Sequence, residues 1–299
     1  MPTSEDATRS YYASADVDAF YEEVWGGEDI HTGIYERPGE PVADASRRTV
    51  ERLAARLEPG PGTRVLDLGS GYGGTARYLA RRFGCRVVAL NLSERQNERH
   101  RRINAERGLD GLVEVVTGSF HDVPYADGEF DAVCSLEALC HSGDRPRALA
   151  EAARVLTPGG ALAFTDVMAA EDAPAEELRP VVARLGVDAL ATPSFYREEL
   201  AGLGMAEVAF DDHSEQLVHH YVRLTEETEA RRAGLGEVIS QDYLRQLLTN
   251  LPLWVDASRR GRLRWGIFHA RRPAGADEAA GAGEAAGAGG AGGTPTPAP

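Results

Sequence analysis

Apolar positions along the chain fall into two repeating rhythms. Short continuous runs near 64–68, 86–91, 113–117, 130–135 and 160–165 read as buried strands, and amphipathic stretches between them read as helices. A strand-helix alternation of this kind predicts an α/β fold with a doubly wound parallel sheet. Right-handed crossovers then carry the loops after the first and fourth strands to the carboxyl edge, where ligands bind in such sheets. Gly71, Asn91, Ser119 and the stretch Ser135 to His141 all belong to that edge. Ahead of the first strand, Arg47 to Leu57 is predicted as a helix ended by Pro59-Gly60-Pro61-Gly62. Helices are also expected over 175–186 and 194–203, followed by strands over Met205 to Phe210 and Leu263 to Ala270.

Two regions depart from that rhythm. The segment 11–35 is dense in aromatic and acidic residues, and Ser14 or Asp16 is placed to cap a helix carrying Phe20, Tyr21 and Val24 before Gly26-Gly27 breaks it. Such a segment either forms a lid or packs its aromatics on the sheet. About fifty residues, from Ser214 to Arg262, separate the last two strands. A compact domain does not keep a structureless loop of that length, so covering helices are expected there. The organisation predicted is a loose terminus over 1–10 and one folded domain over 11–272, with an N-terminal helical lid at 11–58 and a helical insertion at 214–262. A disordered Ala/Gly/Pro tail is expected over 273–299.

Net charge changes the picture of partners. The 299 residues carry a formal charge of −15, which repels nucleic-acid phosphates and anionic membranes and favours a small-molecule substrate. Three cysteines without metal-ligand spacing, and an N-terminus lacking a basic and an apolar region, point to the reducing cytoplasm. A monomer or homodimer is expected, with neither nucleic acid nor membrane as partner. No metal is expected.

The candidate chemistry begins at Val65-Leu66-Asp67-Leu68 and the turn Gly69-Ser70-Gly71-Tyr72-Gly73-Gly74. Residues without a Cβ let a ligand approach the backbone. Gly69, Gly71 and Gly74 formally satisfy the dinucleotide spacing, but Asp67 two positions before the first glycine argues otherwise, and no lysine follows for a phosphate-binding loop. The Asp-x-Gly-x-Gly turn resembles motif I of class I S-adenosylmethionine (SAM) methyltransferases. At the end of the second strand, Asn91-Leu92 and Gln96 stand where a ribose diol would be held, although Asn91 also suits capping of the next helix. Ser119 and Phe120 fall in the loop that would pack an adenine, Phe120 being equally suited to the core. Leu136, Glu137 and His141 follow the fourth strand; Glu137 and His141 share a face if the segment is helical, as catalytic groups or as an ordinary structural contact.

Taken together, these residues resemble the sarcosine/dimethylglycine N-methyltransferases. The resemblance is carried by YYASADVDAFYEEVWGGEDIHTGIY, DLGSGYGGTARYLARRFGCRVVALNLSERQN, GSFHDVPYADGEFD, HSGDR, RVLTPGGALAFTD, LVHHY at 217–221 and RLRWGIFHARR, in the family's order and over roughly 11–272. It implies a Rossmann-like class I methyltransferase fold and SAM as cofactor, with glycine betaine and S-adenosylhomocysteine as products. The implied cofactor residues are Asp67, Gly69, Ser70, Gly71, Gly73, Asn91, Leu92, Gln96, Ser119, Phe120 and Leu136. The implied catalytic set is Glu137, His141 and Tyr35, with Tyr21, Trp25, His219, Tyr221 and Trp254 around the acceptor. Departures cluster near the substrate: Leu136 replaces an amide, Leu139 an aromatic, Val167 a proline, and Asn250-Leu251-Pro252-Leu253-Trp254 a Gly-Leu-x-His-Trp run. Leu136 and Leu253 would suit a larger or more apolar substrate. Two rival readings follow, a C-methyltransferase of a prenyl diphosphate or other natural-product intermediate, and a non-catalytic SAM-binding protein.

Overall fold

The computed structural model describes residues 14–274. The segment 1–10, with Tyr11 and Tyr12, and all of the predicted tail beyond 274 lie outside the described residues. In chain order the elements are α1 (Ala15–Phe20), which runs into a π-helical turn (Tyr21–Trp25), then α2 (Val42–Leu57), β1 (Arg64–Leu68), α3 (Gly74–Phe83), β2 (Arg86–Asn91), α4 (Glu94–Glu106), β3 (Val113–Thr117) and β4 (Phe130–Leu136). A single 3₁₀ turn (Leu139–His141) precedes α5 (Arg145–Val155), β5 (Leu156–Ala169), α6 (Ala175–Leu185), α7 (Pro193–Gly202) and β6 (Ala206–Asp212). Three helices, α8 (Glu215–Ala230), α9 (Arg232–Val238) and α10 (Gln241–Arg259), then lead to β7 (Leu263–Arg271).

The strands form one seven-stranded sheet in the order β3-β2-β1-β4-β5-β7-β6. Strands β1 to β5 are parallel, and β7 runs antiparallel to both β5 and β6. Period-two alternation sorts the side chains of β1 between two layers. Leu66 and Leu68 face a core shared with Ala148, Leu149 and Val155 of α5 and Tyr196 and Leu200 of α7. Val65 faces the opposite core, with Val50 and Leu53 of α2 and Leu79 of α3. A third apolar cluster lies above the carboxyl edge, where Phe20, Tyr21 and Trp25 meet Leu217, Tyr221 and Leu224 of α8 and Leu244, Leu251 and Trp254 of α10. The stripes at i, i+3, i+4 and i+7 on α8 and α10 are buried there against one another and against Val167 and Ala169 of β5 and Leu263 and Trp265 of β7.

Three local differences from the sequence reading have physical causes. Helix α2 starts at Val42, five residues before Arg47, because Val42 and Ala45 continue its buried stripe. Strand β5 runs on to Ala169, pairing with β7 from Ala161 to Ala169, so the strand outlasts the apolar run that marked it. The Glu137 to His141 segment is not a helix: only Leu139–His141 makes a turn, and Glu137 itself has φ +52°.

Candidate active site

Register brings the functional loops together. β1 pairs with β4 through Val65↔Ala132 and Asp67↔Cys134, so the turn after β1 and the loop after β4 leave the sheet side by side. They touch there: a Cβ on Gly69 would lie 2.3 Å from the Ala138 Cβ. Between these loops and the ends of β2 and β3 opens a cleft.

Gly69, Ser70 and Gly71 line it from the first turn; Asn91, Leu92 and Gln96 from the second; Ser119 and Phe120 from the third; Leu136, Glu137 and His141 from the fourth. The glycines differ in what they face. At Gly71, φ +52°, an added Cβ would meet no atom within 4 Å. At Gly73, φ +79°, it would lie 1.9 Å from Nε2 of the buried His100. Gly71 therefore presents open backbone, whereas Gly73 is required by packing and stands outside the lining. Asp67 also stands outside it. Its side chain points into the core behind the turn, where the Cys134 thiol approaches Oδ1 at 3.6 Å, and burial pushes its carboxyl up to about 7. Asn91 donates from Nδ2 to Gln96 Oε1 (3.0 Å) and Asn97 Oδ1 (3.1 Å), while Ser93, not Asn91, caps α4.

The acceptor residues expected from sequence are not gathered in this cleft. Tyr21, Trp25, Tyr221 and Trp254 belong to the third apolar core, with Tyr21–Trp25 ring centroids 5.2 Å apart and Tyr221–Trp254 centroids 4.5 Å apart. They pack on one another because each sits on the inward stripe of its own element. Tyr35 and His219 line a separate cleft with Arg37 and Arg259. The histidine turned inward is the next one, His220, whose Nδ1 lies 3.0 Å from the Tyr35 hydroxyl and 3.2 Å from the Gly33 amide. Its spacing with Leu217, Tyr221 and Leu224 carried that signal in the sequence. Leu253 is exposed on the outer face of α10, so it has no bearing on acceptor size, whereas Leu136 lies in the cleft.

At the floor of the cleft, Glu137 Oε1 accepts from the Trp265 indole Nε1 (2.9 Å) and the Thr32 amide (2.9 Å), and Oε2 lies 3.0 Å from that same amide. Loss of water around the carboxyl outweighs these bonds and raises its pKa from 4.5 to about 7. Two histidines flank it. Burial lowers His141 to about 4 and His31 to about 3, so both are neutral at physiological pH. His31, Ile30 and Glu28 come from the strap between the π turn and α2, and were not anticipated as lining residues. Glu28 is tied down by Arg107 (2.9 Å through Nη1) and by Arg77 (3.4 Å).

Among the described residues no group of three or more His, Cys, Asp or Glu side chains is placed to hold a metal ion, and no helix is long and apolar enough to cross a membrane. Nor do the inserted helices aim arginines at the cleft: Arg223, Arg231, Arg245 and Arg260 pair with Glu226, Glu227, Asp242 and Asp256 nearby on the same helices or the helix before.

Residues 66–164 match the family described as "Methyltransferase domain". The chain is 49% identical over 268 residues to a sarcosine/dimethylglycine N-methyltransferase of Halorhodospira halochloris, covering 89% of this chain and 96% of that protein. It is 50% identical over 263 residues to a glycine/sarcosine/dimethylglycine N-methyltransferase of Actinopolyspora halophila, covering 88% of this chain but 46% of that longer protein. Among solved structures, a Galdieria sulphuraria protein assigned as a sarcosine dimethylglycine methyltransferase superposes with a TM-score of 0.83 at 34% identity, covering 88% of this chain and 99% of that one.

Proposed function

The chain belongs to the sarcosine/dimethylglycine N-methyltransferase family, and on that premise we propose that it uses SAM to methylate the amine nitrogen of sarcosine- and dimethylglycine-type substrates, toward glycine betaine. A cytoplasmic location and small-molecule partners belong to the same proposal. The observation that carries it is a partly buried carboxylate, Glu137, at the floor of a cleft that begins on bare glycine backbone.

The residues present fit the cofactor. Gly71 leaves its side of the turn open, and Ser70 Oγ is buried with no partner, available to a polar group in the cleft. Asn91 and Gln96 supply amides for a diol, and the Phe120 ring supplies an apolar face for a base. When bound, SAM supplies the methyl group from a sulfonium that leaves as a neutral thioether.

An aliphatic amine enters protonated near pH 7 and has no lone pair to attack with. Glu137, as the anion, accepts the N–H proton, freeing the nitrogen, and later returns that proton to solvent. For a tertiary amine this is the one proton lost, since the product nitrogen is quaternary. The neutrality of His31 and His141 keeps the site from repelling the cationic product. The loops around Gly69 and Ala138 limit water at that end.

Incubation with SAM and a panel of glycine, sarcosine, dimethylglycine and prenyl diphosphates, followed by mass analysis, tests the proposal. Methylated amines are expected. A methylated prenyl diphosphate with no amine product would replace this reading with C-methylation, and SAM binding with no product would leave a SAM-binding protein. Glu137→Gln should lower amine methylation on the order of 10²-fold or more. Because its pKa is raised to about 7, the active anion forms above that pH, so the rate should fall as pH drops through about 7 in the parent protein and lose this limb in the variant.

A further inference from the structure

We infer that Trp265 is a positioning residue for Glu137: its indole N–H, together with the Thr32 amide, forms a clamp that orients the carboxylate and sets how tightly it holds a proton. The inference deepens the proposed reaction and rests on it for the kinetic consequence, while the clamp can be read without any amine.

An indole nitrogen can only donate, and Trp265 donates to Glu137 Oε1 at 2.9 Å. The backbone that carries the indole is fixed and the side chain is enclosed. It is fully buried, its strand pairs with β5 through Val167↔Trp265, its carbonyl accepts from the His213 amide at 2.9 Å and its own amide donates to Ser214 Oγ at 3.1 Å. The donor therefore cannot follow the carboxylate if Glu137 turns away. Opposite it, the Thr32 amide bridges both carboxylate oxygens, and Thr32 is itself fixed where its carbonyl accepts from Thr49 Oγ1 at 2.7 Å. The Glu137 backbone has φ +52°, a region a side-chain-bearing residue rarely adopts, and its amide donates to Thr165 O at 2.9 Å. A strained backbone and two rigid donors from distant elements leave the carboxylate one orientation, toward the cleft.

Both donors favour the charged form, so removing one makes the proton harder to lose. The other titratable or charged groups facing Glu137 are Asp166 on β5, Cys140 and His141 on the 3₁₀ turn, His31 on the strap and Arg145 at the start of α5, which acts on Asp166 and Cys140. None is supplied by Trp265, so its replacement changes the hydrogen bond and leaves these charges in place.

The test replaces Trp265 by Phe and, separately, by site-specific benzothienylalanine, which keeps the bicyclic shape and exchanges the N–H for sulfur. In the protein without amine, the carboxyl infrared band that Glu137→Gln abolishes is titrated. Its midpoint should rise by about one pH unit in both variants, S-adenosylhomocysteine affinity should stay as in the parent, and the acid limb of kcat/KM for dimethylglycine should move by the same amount. Adding Trp265→Phe to Glu137→Gln should cost little further activity. An unmoved midpoint, or an equal loss of activity with and without Glu137, overturns the inference. If the Phe variant does not fold, the benzothienyl variant decides. Failure of the parent protein to methylate any amine would refute the reaction, and the infrared midpoint would still decide the clamp.

Discussion

Two glycines in the first turn make a paired prediction, because the same substitution should fail for opposite reasons. Gly71 and Gly73 both have positive φ, +52° and +79°, so an alanine at either carries a left-handed strain of about 1–2 kcal/mol. At Gly71 nothing more is added, since its Cβ would meet no protein atom within 4 Å. At Gly73 the Cβ would stand 1.9, 2.2 and 2.3 Å from three atoms of the His100 ring, which is fully buried and cannot swing aside. Overpacking of a rigid core contributes roughly 1–3 kcal/mol more, so Gly73→Ala should lose about 2–5 kcal/mol in all. Urea unfolding followed by circular dichroism measures these losses, and calorimetric titration with S-adenosylhomocysteine measures binding. Gly71→Ala should remain nearly as stable as strain alone allows while cofactor affinity falls at least about tenfold, because the new methyl occupies the ligand's side of the turn. Equal stability of the two variants would refute the packing role of Gly73. Parental affinity in Gly71→Ala would refute the placement of the cofactor over that backbone.

Two further outcomes separate structural from chemical roles. Burial raises the Asp67 carboxyl from 3.8 to about 7, so the folded state binds its proton more tightly than the unfolded chain, and the stability this contributes at low pH is lost as pH rises toward 7. Asp67→Asn removes that dependence, and its urea midpoint relative to the parent should rise between pH 4 and pH 8; a constant difference would count against a buried carboxylate whose pKa is raised there. Trp254, 1% exposed and packed on Tyr221 with the rings tilted 31°, should cost about 3–5 kcal/mol as Trp254→Ala while leaving the KM for the amine unchanged in the folded protein. A raised KM without loss of stability would return Trp254 to the acceptor site.

The amino-acid sequence by itself determined the alternation of strands and helices, the glycine turn after β1 and the helical character of 214–262, because each depends on periodicity and turn chemistry within a few residues. It also carried the edge residues from Gly69 to His141 to one cleft, since in a doubly wound sheet topology alone brings those loops together. It did not decide which way a side chain at that edge would face. Asp67 turned into the core because strand alternation sets its direction opposite to Leu66 and Leu68. The aromatics of α1, its π turn, α8 and α10 closed on one another, because their apolar stripes are buried together over the ends of β5 and β7, where Val167, Ala169, Leu263 and Trp265 join the same cluster. Burial of Trp265 was legible in the alternation of Leu263, Trp265 and Ile267, but its donation to Glu137 joins residues 128 positions apart. Contacts of that reach follow from strand register and strap placement, quantities that exist only once the chain has packed.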